Sequence, residues 1–292
     1  MDAKGPRFNI NSENQVLVAT GLMVIAAILV AADSIMVRLL TQDLHPFVIA
    51  FFRSLFGLVF VAPMILRNHG VLRSRYTFLH LLRAGLKLVA IVSFFIAIKS
   101  ASLSDVTTIA FTTPLFVTIG AWLLLGERPV PIRIASVVLG FFGVLVIFRP
   151  GQEAISVALM FALLGAVLTS VIQLMLKQMS ASDTTDTLVA WNLLLIVPLS
   201  LLPAMWFWTT PTLSQLALLA LQGGAGALSM TLITRSLSLA EASYLAPIDF
   251  LRLPAVAILA FLFFGEIPTI WTLVGAAIIF GSMLLAARSN RV

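Results

Sequence analysis

The chain contains a second copy of itself, and each copy holds an odd number of apolar spans. Arg38 returns 139 residues later as Lys177, and at the same offset Ala26 meets Gly165, Met36 meets Met175 and Arg53 meets Asn192. Gly126-Glu127 returns as Gly265-Glu266 and Pro129 as Pro268, while Ser136 and Gly143 return as Gly275 and Ser282. Lys99, Ser102, Leu103 and Asp105 return at offset 136 as Arg235, Ser238, Leu239 and Glu241. A three-residue indel within the fourth and ninth spans accounts for the change of offset. Five spans per copy force the second copy to enter a membrane from the opposite side. Two inverted halves around a midplane site are the architecture of a secondary transporter.

The solvent of this fold follows from composition. The chain is 60% hydrophobic and 10% charged, with mean hydropathy +1.09. Soluble domains carry about 25% charged residues. A soluble fold of 292 residues cannot bury this much apolar surface, so lipid is the expected solvent. With no cysteine there is no disulfide framework, thiol nucleophile or cysteine metal site. The net charge of +6 is scattered singly over short loops and forms no stripe, which excludes nucleic acid as a partner.

Ten helices are expected, over roughly 16–40, 46–66, 79–98, 104–125, 131–148, 156–176, 186–206, 213–235, 241–264 and 269–287. Most reach the ~20 apolar residues that cross a hydrocarbon core. The expected fold class is an all-α membrane protein: a polar tail over 1–15, a first five-helix repeat over 16–148 and an inverted one over 156–287. Lys and Arg in the loops divide eleven to three between the two sides. The positive-inside rule then places both termini in the cytoplasm.

The chain resembles the drug/metabolite transporter superfamily, specifically its EamA branch. The segments that carry the resemblance are Pro114-Leu115-Phe116-Val117 through Leu124-Leu125-Gly126-Glu127-Arg128-Pro129, their second-half counterpart Phe263-Phe264-Gly265-Glu266, and Arg53 after Pro46-Phe47-Val48-Ile49-Ala50-Phe51-Phe52. The resemblance implies a bacterial-type inner-membrane carrier whose cavity is walled by the first, third, fourth, sixth, eighth and ninth spans. It implies export of amino acids or related small metabolites. The alternative cargo is a vitamin, a nucleotide-like metabolite or an organic anion. It implies no cofactor, no metal and a monomer or homodimer.

Ionisable residues inside spans are functional candidates by default. Six are expected: Asp33, Arg53, Arg83, Lys87, Asp249 and Arg252. Asp33 and Arg53 fall at similar depth on adjacent antiparallel helices, as an ion pair or as a proton site. Arg83 and Lys87 share a helical face; Arg83 can snorkel to the cytoplasmic surface, and Lys87 is the better site candidate. Asp249 and Arg252 are three residues apart, so they pair with each other or meet substrate. The cationic excess favours a substrate with a carboxylate or other anionic group.

Pro114 interrupts the fourth span, and Pro247 and Pro254 the ninth. Each removes a backbone donor, and interruptions in matching spans mark a transporter's site and hinges. Thr112 and Thr113 line the first break, with intrahelical bonding as the structural alternative. Tyr244, Gln173 and Gln222 complete the expected substrate-binding set, the two glutamines standing against a role as interhelical glue. Glu127 and Glu266 read as helix-start carboxylates. The fifth and tenth spans carry few polar groups and are expected to face lipid or a neighbouring subunit.

An enzyme has little to rest on. No Gly-x-Ser-x-Gly turn and no His-Glu-x-x-His motif occurs. Asp183-Thr-Thr-Asp186 vaguely resembles a diphosphate-binding pair but stands beside a helix start, where Asp is a good cap. A channel is the remote alternative to a carrier.

Overall fold

The computed structural model describes residues 12–67, 69–124, 131–148, 156–179, 182–239, 245 and 248–288. Among them are eleven α-helices and one short 3₁₀ turn at His69–Leu72. The first half supplies α1 (Ser12–Leu40), α2 (Pro46–Arg67), α3 (Thr77–Ser100), α4 (Leu103–Ala110), α5 (Thr113–Leu124) and α6 (Pro131–Phe148). The second supplies α7 (Val157–Met179), α8 (Thr185–Trp206), α9 (Leu213–Leu239), α10 (Arg252–Phe264) and α11 (Ile270–Arg288). Helix α1 begins at Ser12, inside the stretch expected as a polar tail.

Seven helical segments are long and apolar enough to cross a membrane, and three shorter apolar ones lie over Ile134–Phe148, Arg252–Phe264 and Ile270–Leu285. These helices are apolar around most of their circumference, as expected of elements buried in protein on one side and lipid on the other. The chain is a helical membrane protein.

The fourth span is two helices rather than one. Helix α4 ends at Ala110, Phe111 and Thr112 form a turn, and α5 restarts at Thr113. The cause is Pro114, which cannot donate to the carbonyl four residues back, that of Ala110. Thr113 Oγ1 donates to that carbonyl at 2.8 Å, and Thr112 Oγ1 to that of Ile109 at 2.6 Å. The ninth span breaks in the same way. Phe250 and Leu251 form a turn before α10, and the Phe250 carbonyl that Pro254 leaves unbonded accepts from Leu253 N at 3.0 Å. Phe111 and Phe250 are 139 positions apart, the offset of the repeat.

The main helix pairs all join one half of the chain to the other: α1 with α9, α3 with α7, α2 with α8 and α9, and α6 with α11. Helices α6 and α11, expected to face lipid or a neighbouring subunit, also pack on each other. Each buries one side against the other and leaves residues such as Val138, Phe142 and Leu273 exposed. Helix α10 ends at Gly265, whose φ of 67° is left-handed and costs a glycine nothing.

Candidate functional site

Two groups of polar and aromatic side chains lie where the helices of the two halves meet. The first is built on α1, α2, α3 and α9. Arg53 Nη2 donates to Asp33 Oδ2 at 3.1 Å, and both side chains are about four-fifths buried, with 22% and 17% exposure. The Arg53 guanidinium also lies 6.0 Å from the Phe95 ring. Lys87 stands within electrostatic reach of Arg53 and Asp33 and makes no hydrogen bond among the described residues. Gln222 faces Asp33 from α9 and is fully buried.

Close approach of α9 to α2 makes this grouping possible. A Cβ on Gly223 would lie 2.7 Å from the Arg53 carbonyl oxygen, and one on Gly226 would lie 3.1 Å from the Arg53 guanidinium. These glycines therefore set packing distance beside Arg53.

The second group is built at the two broken spans. Phe111 and Phe250 meet with ring centroids 4.7 Å apart, and Phe250 lies 4.4 Å from Phe280. The Arg252 guanidinium sits 4.4 Å above the Phe111 ring, and its Nε has no hydrogen-bond partner. The pairing of Arg252 with Asp249 considered from sequence is absent: no ion pair joins them among the described residues. Arg252 is oriented over the ring instead, where the π-face attracts a cation.

Other candidates fall elsewhere. Thr112 and Thr113 spend their hydroxyls on the carbonyls of the broken turn. Gln173 lies on the exposed side of α7 and bonds to neither group among the described residues. Tyr244 and Pro247 lie outside the described residues, as does Glu127. Pro114 and Pro254 sit in the first turns of α5 and α10, where the missing N–H costs least.

Arg83 corrects the expectation of a snorkelling side chain. It is 1% exposed and donates to the Leu188 carbonyl of α8 at 2.5 Å. Next to it, His80 Nε2 lies 2.9 Å from Asp183 Oδ2 and 3.1 Å from Ser74 Oγ, with Trp191 stacked on the ring at 5.2 Å. Asp183 therefore holds a histidine rather than capping a helix; the cap of α8 is Thr184, which accepts from Thr187 N. One ring nitrogen faces both Ser74 and Asp183, so the three do not form a nucleophilic relay, which needs both nitrogens.

Sequence reasoning also missed a cluster at the opposite end of α3. Glu266 accepts from Arg38 at 2.8 Å and from the Leu103 backbone N–H at 3.0 Å. Arg38 donates further to the Ala101 carbonyl at 2.7 Å and to that of Ile98. Thr272 of α11 donates to Asp105 of α4 at 2.5 Å. Glu266 was expected to serve the helix that follows it; it serves the N-terminus of α4, in the other half. The repetition of Arg38 as Lys177 and Glu266 as Glu127 was the available signal.

The EamA-like transporter family profile matches the chain twice, over residues 18–149 and 156–288. The chain belongs to the EamA-like transporter family. It is similar to an S-adenosylmethionine uptake transporter of Rickettsia bellii, 27% identical over 94% of each chain. It is also similar to a riboflavin transporter of Rhizobium johnstonii, 30% identical over 82% of this chain and 80% of that one. A solved crystal structure, 20% identical and covering 96% of this chain and 99% of its own, superposes with a TM-score of 0.64, a likeness of fold. This family member is an integral multi-pass membrane transporter.

Proposed function

We propose that the protein is an inner-membrane carrier with cytoplasmic termini that moves a flat heteroaromatic metabolite of the vitamin or nucleoside class by alternating access. The observation that carries this reading is the meeting of Phe111, Phe250 and Phe280 with the Arg252 cation at the two broken spans. Aromatic faces and a guanidinium stack on planar rings, and a broken helix exposes backbone for a ligand. Relatives named for S-adenosylmethionine and riboflavin, both ring-bearing compounds, support the class.

Alternating access needs an end that closes. The Arg38–Glu266–Leu103 cluster ties α1, α4 and the turn before α11 across the two halves. The positive-inside rule assigns that end to the outside, so we read this conformation as externally latched. Rocking of one repeat-built bundle against the other would break the cluster.

An amino-acid exporter is the second reading. It is favoured by Lys87, a cation without a hydrogen bond among the described residues, which suits a carboxylate and requires no ring. Counterflow in proteoliposomes tests both. Exchange of nucleosides or flavins is expected; exchange confined to aliphatic amino acids or dicarboxylates would overturn the heteroaromatic reading.

A further inference from the structure

A cavity of about 430 Å³ lies where the two halves of the chain meet, at the end that the positive-inside rule places outside. Asp43 and His45 line it from the turn between α1 and α2, and Lys99 from the end of α3. Trp206, Phe207 and Trp208 line it from the end of α8, in the second half. Lys87, Phe111 and Arg252 take no part in it.

The rings fix the depth of this cavity in the bilayer. Trp206 is 87% exposed and Trp208 44%. Tryptophan collects at the membrane–water interface, where its ring rests on acyl chains and its N–H meets headgroups. Leu202, one turn before Trp206, and Met205 are exposed on the same face of α8. An apolar track therefore runs along α8 from the hydrocarbon into the cavity. His45 stacks on Phe207 at 4.0 Å and Trp208 packs on Phe52 at 5.6 Å, so the upper rings are held in place.

The charges select what lies there. Lys99 makes no salt bridge among the described residues. Asp43 accepts from Gln215 Nε2 at 3.1 Å through Oδ2 and is not paired with Lys99. One cavity thus holds a cation and an anion that do not neutralise each other by contact. An anionic ligand would meet Lys99 and be repelled by Asp43; a zwitterion meets both. A water-soluble zwitterion would leave the apolar track of α8 uncovered, whereas one that carries acyl chains covers it.

We propose that this cavity binds one zwitterionic phospholipid of the outer leaflet. The lipid phosphate accepts from the Lys99 ammonium, the lipid ammonium donates to Asp43, and the chains lie along Leu202, Met205 and Trp206. A lipid held in this way touches both halves of the chain at once. The site is separate from the cargo and does not depend on which cargo is carried.

The test is native mass spectrometry of the full-length protein in micelles holding equal amounts of phosphatidylethanolamine and phosphatidylglycerol with identical chains. The unmodified protein should retain one phosphatidylethanolamine about fivefold over phosphatidylglycerol, the weight of one charged group at a lipid surface. Asp43→Asn, which keeps an acceptor for Gln215, should erase that preference. Lys99→Gln should weaken retention of both lipids, since both carry the phosphate. Trp206→Ala should weaken both and leave their ratio unchanged. All three side chains are exposed, where substitutions leave a fold intact. Phosphoethanolamine, the headgroup without chains, should not displace the lipid at equal concentration. Equal retention of the two lipids or a preference for phosphatidylglycerol would overturn the site. So would an unchanged preference in Asp43→Asn, unchanged retention in Lys99→Gln or Trp206→Ala, or displacement by phosphoethanolamine.

Discussion

Arg38 and Glu266 meet at 2.8 Å although 228 residues separate them. One belongs to α1 and the other to the turn before α11, and the same carboxylate accepts from the first N–H of α4. A carboxylate at a helix N-terminus satisfies an orphan donor and meets the positive end of the dipole. At this end the two halves are joined by this carboxylate and by the bond from Thr272 to Asp105.

Breaking this group should loosen that end. The chain has no cysteine, so a reporter at Ile98, 7% exposed beside Arg38, is free of background. In Glu266→Ala the Ile98→Cys thiol should react with external maleimide about tenfold faster than in the parent, as expected if ~1.4 kcal/mol of latch is lost. Unchanged reactivity would show that Glu266 holds nothing shut.

The opposite end of α3 should behave as structure. His80, Arg83 and Asp183 are almost fully buried; His80 bonds to Asp183, and Arg83 donates to the Leu188 carbonyl of α8. Asp183→Ala should destabilise the protein by about 1–3 kcal/mol, the cost of a buried group left without its partner. Arg83→Met should do the same by abandoning the Leu188 carbonyl. Both should lower the melting temperature in detergent. A variant that melts like the parent would mean the cluster does not support the fold.

Much of this was legible in the sequence because membrane interiors make polar residues conspicuous. Asp33 and Arg53 stood at one depth, and the structure has them 3.1 Å apart. Pro114 and Pro254 announced the breaks in α4–α5 and before α10, since a proline cannot supply its N–H. Contacts between distant segments were not legible. Arg83 carries the composition of a snorkelling residue, and only the fold shows the Leu188 carbonyl above it. Arg252 has an acidic neighbour one turn away, yet it lies over Phe111, which comes from the other half.

Topology is the next expectation. Loops with eleven basic residues on one side and three on the other predict cytoplasmic termini. A cysteine at Gln42, exposed between α1 and α2, should react with an impermeant thiol reagent added to intact cells. One at Thr77, at the start of α3, should react only after permeabilisation. The reverse pattern would sink the inverted arrangement of the halves.

His45, between α1 and α2, stacks on Phe207 at 4.0 Å. Burial and then the nearby Lys99 hold its pKa below the usual 6.5. The unfolded chain therefore takes up its proton at a higher pH than the folded one. The stability this contributes is complete above the unfolded value and is lost as pH falls through the folded one. Melting temperature should drop between about pH 7 and pH 5, and His45→Phe should lose that part of the drop. An unchanged profile in His45→Phe would assign the pH dependence to other groups.

Lys87 and Arg252 belong to different groups, one beside Asp33 and Arg53 and one over Phe111. Neither makes a salt bridge among the described residues. Cations inside a membrane span are costly, and a structural cation normally has a carboxylate to repay that cost. Asp33 is already engaged by Arg53, which leaves Lys87 adjacent to a nearly neutral pair. A substrate bearing an anionic group would complete both cations. Lys87→Met and Arg252→Met should therefore each weaken binding of such a substrate by about tenfold or more, the loss of one charge-assisted contact of ~1.5–3 kcal/mol. Expression and melting temperature should hold or rise, because an uncompensated buried charge is removed. Esterified substrate analogues should bind the unmodified protein as poorly as the free acids bind the variants. Normal transport by both variants would assign these cations to the scaffold and leave the aromatic group as the whole of the site.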